Sequence, residues 1–191
     1  MRIEERFAVR APPAAVWAYL IDPRRVVGCL PGAELTEVVD ERTFHGNVKV
    51  RVGPVTVSYR GRVNLVQIDE AGRSVRMTGE GRETAGAGSA RMSMESRLAE
   101  LPGGETEVVV TSEVEVVGRL VQLGRGMIEQ VSHQLFQQFA ACVRTTLEAE
   151  AAGAAAGAPA AARPVHLVPL LLGALWAWLR SLLRRILGRR S

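Results

Sequence analysis

Tyr59, Ser96, Ser112 and Cys142 are the side chains with nucleophilic or proton-transferring atoms that the alternation of the sequence turns towards an interior. A hydroxyl or thiol attacks a substrate only when a neighbouring base takes its proton and a third group orients that base. Strand parity places no histidine or carboxylate on the same faces. His45 falls on a polar strand face, His133 beside the apolar stripe of a helix, and His166 close to the C-terminus. Hydrolase or cyclase chemistry is therefore not expected. Cys29 and Cys142 have no second Cys or His at metal-ligand spacing and are too few for a disulfide framework, so both are read as buried thiols in a reducing compartment. The glycine-rich stretch GEGRETAGAGSA (79–90) lacks both Walker spacing and a full GxGxxG, and a hairpin turn accounts for it.

The elements that carry these groups follow from periodicity. RIEERFAVR reads as a short strand. APPAAVWAYLIDP then opens with prolines where a helix has no use for the missing N–H, and stops at Asp22-Pro23. After the turn-rich GCLPGAEL the period becomes two, and the inward positions follow strand by strand. They are Phe44, Gly46, Val48, Val50 and Val52; then Val57, Tyr59, Gly61, Val63 and Leu65; then Val75, Met77, Gly79 and Gly81. Ala90, Met92, Met94, Ser96 and Leu98 come next, and finally Val108, Val110, Ser112, Val114 and Val116. Charged and polar residues fill the alternate positions, so the sheet is expected to be an antiparallel meander with one solvated face. A helix from Leu120 to Leu147 presents Leu120, Gly124, Met127, Ile128, Val131, Leu135, Phe139 and Cys142 to that sheet.

Several of these inward positions are small. Glycines facing a core either let the sheet curve and its strands approach, or leave a hole. The second reading gives an apolar ligand cavity lined by Phe44, Val57, Tyr59, Gly61, Met77, Gly79, Met92, Met94, Ser112 and Val116 from the sheet, with Leu120, Gly124, Met127 and Val131 from the helix.

All 20 Asp and Glu lie within residues 1–150, whereas Arg163, Arg180, Arg184, Arg185, Arg189 and Arg190 lie beyond them. The high isoelectric point thus belongs to the tail, and the slightly acidic domain has no basic stripe that would suit nucleic acid. EAEAAGAAAGAPAAARP (148–164) has nothing large to bury and reads as a flexible tether. In residues 165–191, Trp176, Trp178, Leu179, Leu182, Leu183, Ile186 and Leu187 fall on one half of a helical wheel, opposite Arg180, Arg184 and Arg185. The apolar run Val165–Leu179 would rise only about 22 Å as a helix, short of the about 30 Å of a bilayer core. An amphipathic helix lying on an anionic membrane surface is the expected arrangement. A tilted spanning helix and a helix docked in a protein groove are the alternatives. The first ten residues lack the apolar run of a signal peptide, so the domain is expected on the cytoplasmic side of the membrane, held peripherally by its tail.

CLPGAEL, the hairpin GNVKVRVGPVTVSYRGRV and VEVVGRLVQLGRGMIEQVSHQLFQQF together resemble the CoxG family of carbon monoxide dehydrogenase subunits, within the START-like (SRPBCC), helix-grip superfamily of hydrophobic-ligand carriers. The resemblance spans residues 1–147 and implies an α+β fold: one strand, two short helices, six antiparallel strands and a long final helix around an apolar cavity. It implies a non-catalytic accessory protein that helps connect an aerobic molybdenum hydroxylase, above all CO dehydrogenase, to the cytoplasmic membrane. An isoprenoid quinone, menaquinone or ubiquinone, is the expected carried ligand, with no covalently bound cofactor and no metal. An adaptor without any ligand and a START-like enzyme are the alternatives.

Overall fold

A computed structural model of the chain describes residues 1–53 and 55–156, with side chains through Gly153; Pro54, the remainder of the expected tether and the amphipathic tail (165–191) lie outside the described residues. The chain runs β1 (Arg2–Val9), α1 (Pro13–Leu20), α2 (Pro23–Cys29), β2 (Ala33–Val38), β3 (Thr43–Val52), β4 (Val55–Asp69), β5 (Ser74–Glu83), β6 (Ser89–Leu101), β7 (Glu105–Val117), a 3-10 turn (Arg119–Leu123) and α3 (Arg125–Ala156). This is the α+β succession that the resemblance implies.

Local chemistry explains the punctuation. Pro13 occupies the first turn of α1, and α2 is capped by Asp22, whose carboxylate accepts from the Arg24 amide at 2.9 Å. Gly53, at φ +57°, turns β3 into β4. All seven strands form one antiparallel sheet in the order β1-β7-β6-β5-β4-β3-β2. Bulges at Leu35/Glu37 and Leu65/Gln67 bend its strands.

The core is not continuous but gathers in three clusters. Phe7, Val9, Val16, Tyr19, Val108, Val143 and Leu147 close one end, where α1 and α3 meet β1 and β7. Val52, Val57, Tyr59 and Leu120 close another, and Phe44, Leu65 and Val75, with Trp17 against them, close a third. Burying each such aliphatic side chain contributes about 1.5–3 kcal/mol. Phe7 meets Phe136 edge-on at 5.8 Å, and the Arg144 guanidinium donates to the Ala8 carbonyl at 2.8 Å, fixing α3 along β1.

Three sequence expectations need correction. The thiols of Cys29 and Cys142 are joined in a disulfide, because α2 packs on α3 and brings Cα atoms 113 residues apart to 5.4 Å. The last helix starts at Arg125, not at Leu120, since Gly118 (φ +107°) and Gly124 (φ +81°) break the chain on either side of the 3-10 turn. It also continues to Ala156, so the first part of the expected tether is helical. Alanine favours this, and Glu148 and Glu150 bind Arg10 and Arg25 across the domain.

Candidate functional site: the inner face of the sheet

The inner face is built in rows of cross-strand partners. One row runs Phe44, Val63, Gly79, Met92, Val114, and the next Leu65, Met77, Met94, Ser112, Ile3. In their centre Met77, Gly79, Met92, Met94 and Ser112 are only half-buried, although the three clusters around them are closed. These apolar side chains therefore stay accessible on the inner face between the three packed clusters. Methionine suits such a position because its unbranched thioether adapts to what it touches.

Glycine geometry separates the two readings of the small residues. A Cβ on Gly61 would stand 2.4 Å from the Glu80 carbonyl oxygen, and one on Gly46 2.7 Å from that of Glu34, so these two are glycine because neighbouring backbone approaches too closely. Gly79 and Gly81 are different. Their nearest neighbours would be Met92 Cε and Tyr59 Cβ, both at 3.4 Å, which is ordinary contact. Close approach of neighbouring backbone explains the first pair, and ordinary contact with movable side chains on the inner face accompanies the second.

Of the residues expected to line a cavity, Phe44, Val57, Tyr59 and Leu120 are buried in the packed clusters. Gly61, Met77, Gly79, Met92, Met94, Ser112, Val116 and Val131 are half-buried. Gly124 and Met127 are displaced: Gly124 is exposed and Met127 is 40% exposed, because the helical phase counted from Leu120 fails across the break at Gly124. Further along the helix Phe139 and Cys142 do pack inward as expected, joined by Phe136, Ala140, Val143 and Leu147.

The expectation that no carboxylate shares the inward faces is corrected by two acids. Glu83 continues the inward parity of Met77, Gly79 and Gly81 on β5 and stands opposite Tyr59. Its side chain is 2% exposed and is bound by the Arg119 guanidinium from the 3-10 turn. Burial raises the Tyr59 pKa above its ordinary value, the Glu83 charge adds to this, and Arg119 opposes it. On β1, Glu5 lies on the same face as Phe7, and its Oε1 is hydrogen-bonded to Nδ1 of His133 on α3 at 2.6 Å. Carrying strand alternation two residues past Gly81, and applying it to β1, would have found both acids. Trp17 was missed for another reason. Its Nε1–H is fully buried without a hydrogen-bond partner against the Phe44–Leu65–Val75 cluster, a position only tertiary packing reveals.

These polar groups are largely engaged with one another. Both sulfurs are in the disulfide, the Glu83 charge is already paired with Arg119, and His133 and Glu5 engage each other at the sheet edge. No cluster of metal-ligating side chains occurs among the described residues.

The family model for CoxG, a subunit of carbon monoxide dehydrogenase, matches residues 6–148. No curated protein matches the sequence. Among solved structures, a conserved protein from Geobacillus kaustophilus superposes with a TM-score of 0.71 at 18% identity, over 78% of this chain and 96% of that one. The ZhuI aromatase/cyclase from Streptomyces sp. R1128 gives 0.58 at 22% identity, over 78% and 93%. A START superfamily protein from Mycobacterium smegmatis gives 0.54 at 13% identity, over 78% and 97%. At these identities the likeness establishes the START-like fold and nothing about activity.

Proposed function

The chain belongs to the CoxG family of carbon monoxide dehydrogenase subunits, and from that premise we propose that it is a non-catalytic accessory protein that binds an apolar ligand on the inner face of its sheet. The half-buried strip of Met77, Gly79, Met92, Met94 and Ser112 between three closed clusters carries this reading. The ligand we assign is an isoprenoid quinone, menaquinone or ubiquinone. Its ring oxygens suit the lone Trp17 Nε1–H, whose burial without a partner costs about 1–3 kcal/mol until an acceptor arrives. Met77, packed against the same cluster, is flexible enough to yield to an incoming ring.

In this reading the protein serves an aerobic molybdenum hydroxylase of the CO dehydrogenase type. Residues 165–191 hold it on an anionic membrane surface, where so apolar a quinone resides. A tethered carrier offers the quinone a route out of the bilayer to its reductant.

The test is organic extraction and mass spectrometry of residues 1–156, purified without detergent from quinone-producing cells. Met1–Ala155 forms a compact unit of its own, and omitting residues 165–191 removes lipid that this apolar, arginine-rich segment would carry. A stoichiometric quinone is the expected result. A folded but empty domain would leave a membrane adaptor without a ligand.

A further inference from the structure

The opposite, solvated face of the sheet holds a groove of about 1060 Å³ that runs from β2 to the β5–β6 turn. Its charges are unevenly satisfied. Glu37 is engaged by His45 at 3.0 Å, Glu80 by Arg62 at 2.8 Å and, where the groove ends at the turn, Glu83 by Arg119. Glu80 and Glu83 therefore each already have an arginine. Arg60 and Arg82 have no ion-pair partner among the described residues, and they are direct cross-strand neighbours on β4 and β5.

Like charges placed opposite one another in an antiparallel pair are unfavourable. Neither adjacent position in their row relieves this pair, since the next partners outward are Asn47 on β3 and Ser89 on β6. The adjacent row adds Lys49, opposite Ser58. Sheets ordinarily place an acid beside such an arginine, as this one does where Glu80 stands between Arg62 and Arg91. An uncompensated guanidinium pair in a recess is a site for an external anion, because guanidinium presents a planar fork of donors to carboxylates.

We propose that this groove docks an acidic segment of a partner protein, whose carboxylates insert between Arg60 and Arg82. A flat anionic bilayer is disfavoured by what surrounds the pair. Glu34 and Glu37 on β2 and Glu113 and Glu115 on β7 flank the arginines on the same face, so a broad negative surface would be repelled on both sides. A narrow segment meets only the basic centre. The proposal deepens the accessory reading by naming the surface that receives a protein, and it is independent of whether the inner face holds a quinone.

The full chain is titrated with a short fluorescein-labelled oligoglutamate peptide, and residues 1–156, which lack the segment assigned to the membrane, are titrated separately with phosphatidylglycerol vesicles. Arg60→Gln/Arg82→Gln is compared with the parent, and Arg24→Gln, an exposed position on α2 away from the groove, is the control. Peptide binding should weaken at least about tenfold in the double variant, should weaken with added salt in the parent, and should be unchanged in the control. The double variant should also melt higher than the parent, which a merely structural role for the arginines would reverse. Equal peptide binding by parent and variant, no binding by either, or a less stable variant would overturn the proposal. Vesicle binding lost in the double variant while peptide binding persists would also overturn it, by making the occupant a lipid surface. An empty inner face in the extraction experiment would leave these outcomes unaffected.

Discussion

Cys29, the last residue of α2, is bonded to Cys142 within α3, so a single covalent link ties the helical pair after β1 to the helix that closes the domain. Closing a loop of 113 residues removes denatured-state entropy worth about 4–5 kcal/mol in the chain-entropy treatment, of which about 2–5 kcal/mol is usually realised.

Reduction, or Cys29→Ala/Cys142→Ala, is therefore expected to lower stability by about 2–5 kcal/mol in urea unfolding followed by circular dichroism. The native spectrum should persist, because the sheet does not depend on the bond. A midpoint unmoved by reductant would mean that the sulfurs are not joined in solution.

Arg119 should hold the 3-10 turn through Glu83. Removing it strands a carboxylate whose side chain is 2% exposed, while the Arg119 side chain is 54% exposed and already partly solvated. Arg119→Ala should cost about 1–3 kcal/mol, less than for a fully buried pair. Adding Glu83→Gln should recover part of that loss, since the stranded charge disappears. Equal losses in the single and double variants would show that the two groups are not coupled.

Tyr59 gives a pH dependence at the alkaline end. Its folded pKa is raised above the unfolded value of about 10, chiefly by burial. The associated stability is fully present below about pH 10 and is lost as pH rises through the folded pKa. In a tyrosinate absorbance titration, the Tyr59 component should appear late, together with alkaline unfolding, and Tyr59→Phe should remove it. A Tyr59 that ionises with free tyrosine would contradict its burial.

Gly61 and Gly79 should respond oppositely to leucine. Gly61→Leu drives a Cβ to 2.4 Å from the Glu80 carbonyl oxygen and should prevent normal folding. Gly79→Leu meets first the movable end of Met92, at 3.4 Å, so the domain should fold, within about 1–3 kcal/mol of the parent. The new side chain should occupy the half-buried strip and exclude quinone in the extraction assay. A folded Gly79→Leu protein that still carries quinone would place the ligand elsewhere.

Most of the fold was legible because its signals are local. Alternation in residues 43–116 fixes which side chains face inward, and Pro13, Asp22-Pro23 and Gly53 mark helix starts and a turn through their own backbone limits. The inward positions of the sheet, Met77, Met92 and Met94 among them, were readable for the same reason. Glu5 and Glu83 sat in view as well, since parity counts carboxylates as readily as valines.

What stayed hidden depends on elements distant in the chain meeting in space. The start of α3 turns on positive φ angles at Gly118 and Gly124, so the phase that placed Met127 inward could not be known from spacing. The pairing of Cys29 with Cys142, the orphaned Trp17 Nε1–H and the opposition of Arg60 to Arg82 each need the packed sheet and its register. Sequence alone determined which face of each strand is apolar, because side-chain period is a property of the backbone. Only tertiary structure decided which partners those faces acquired and which polar groups were left without one, because that depends on how strands and helices from distant parts of the chain close on each other.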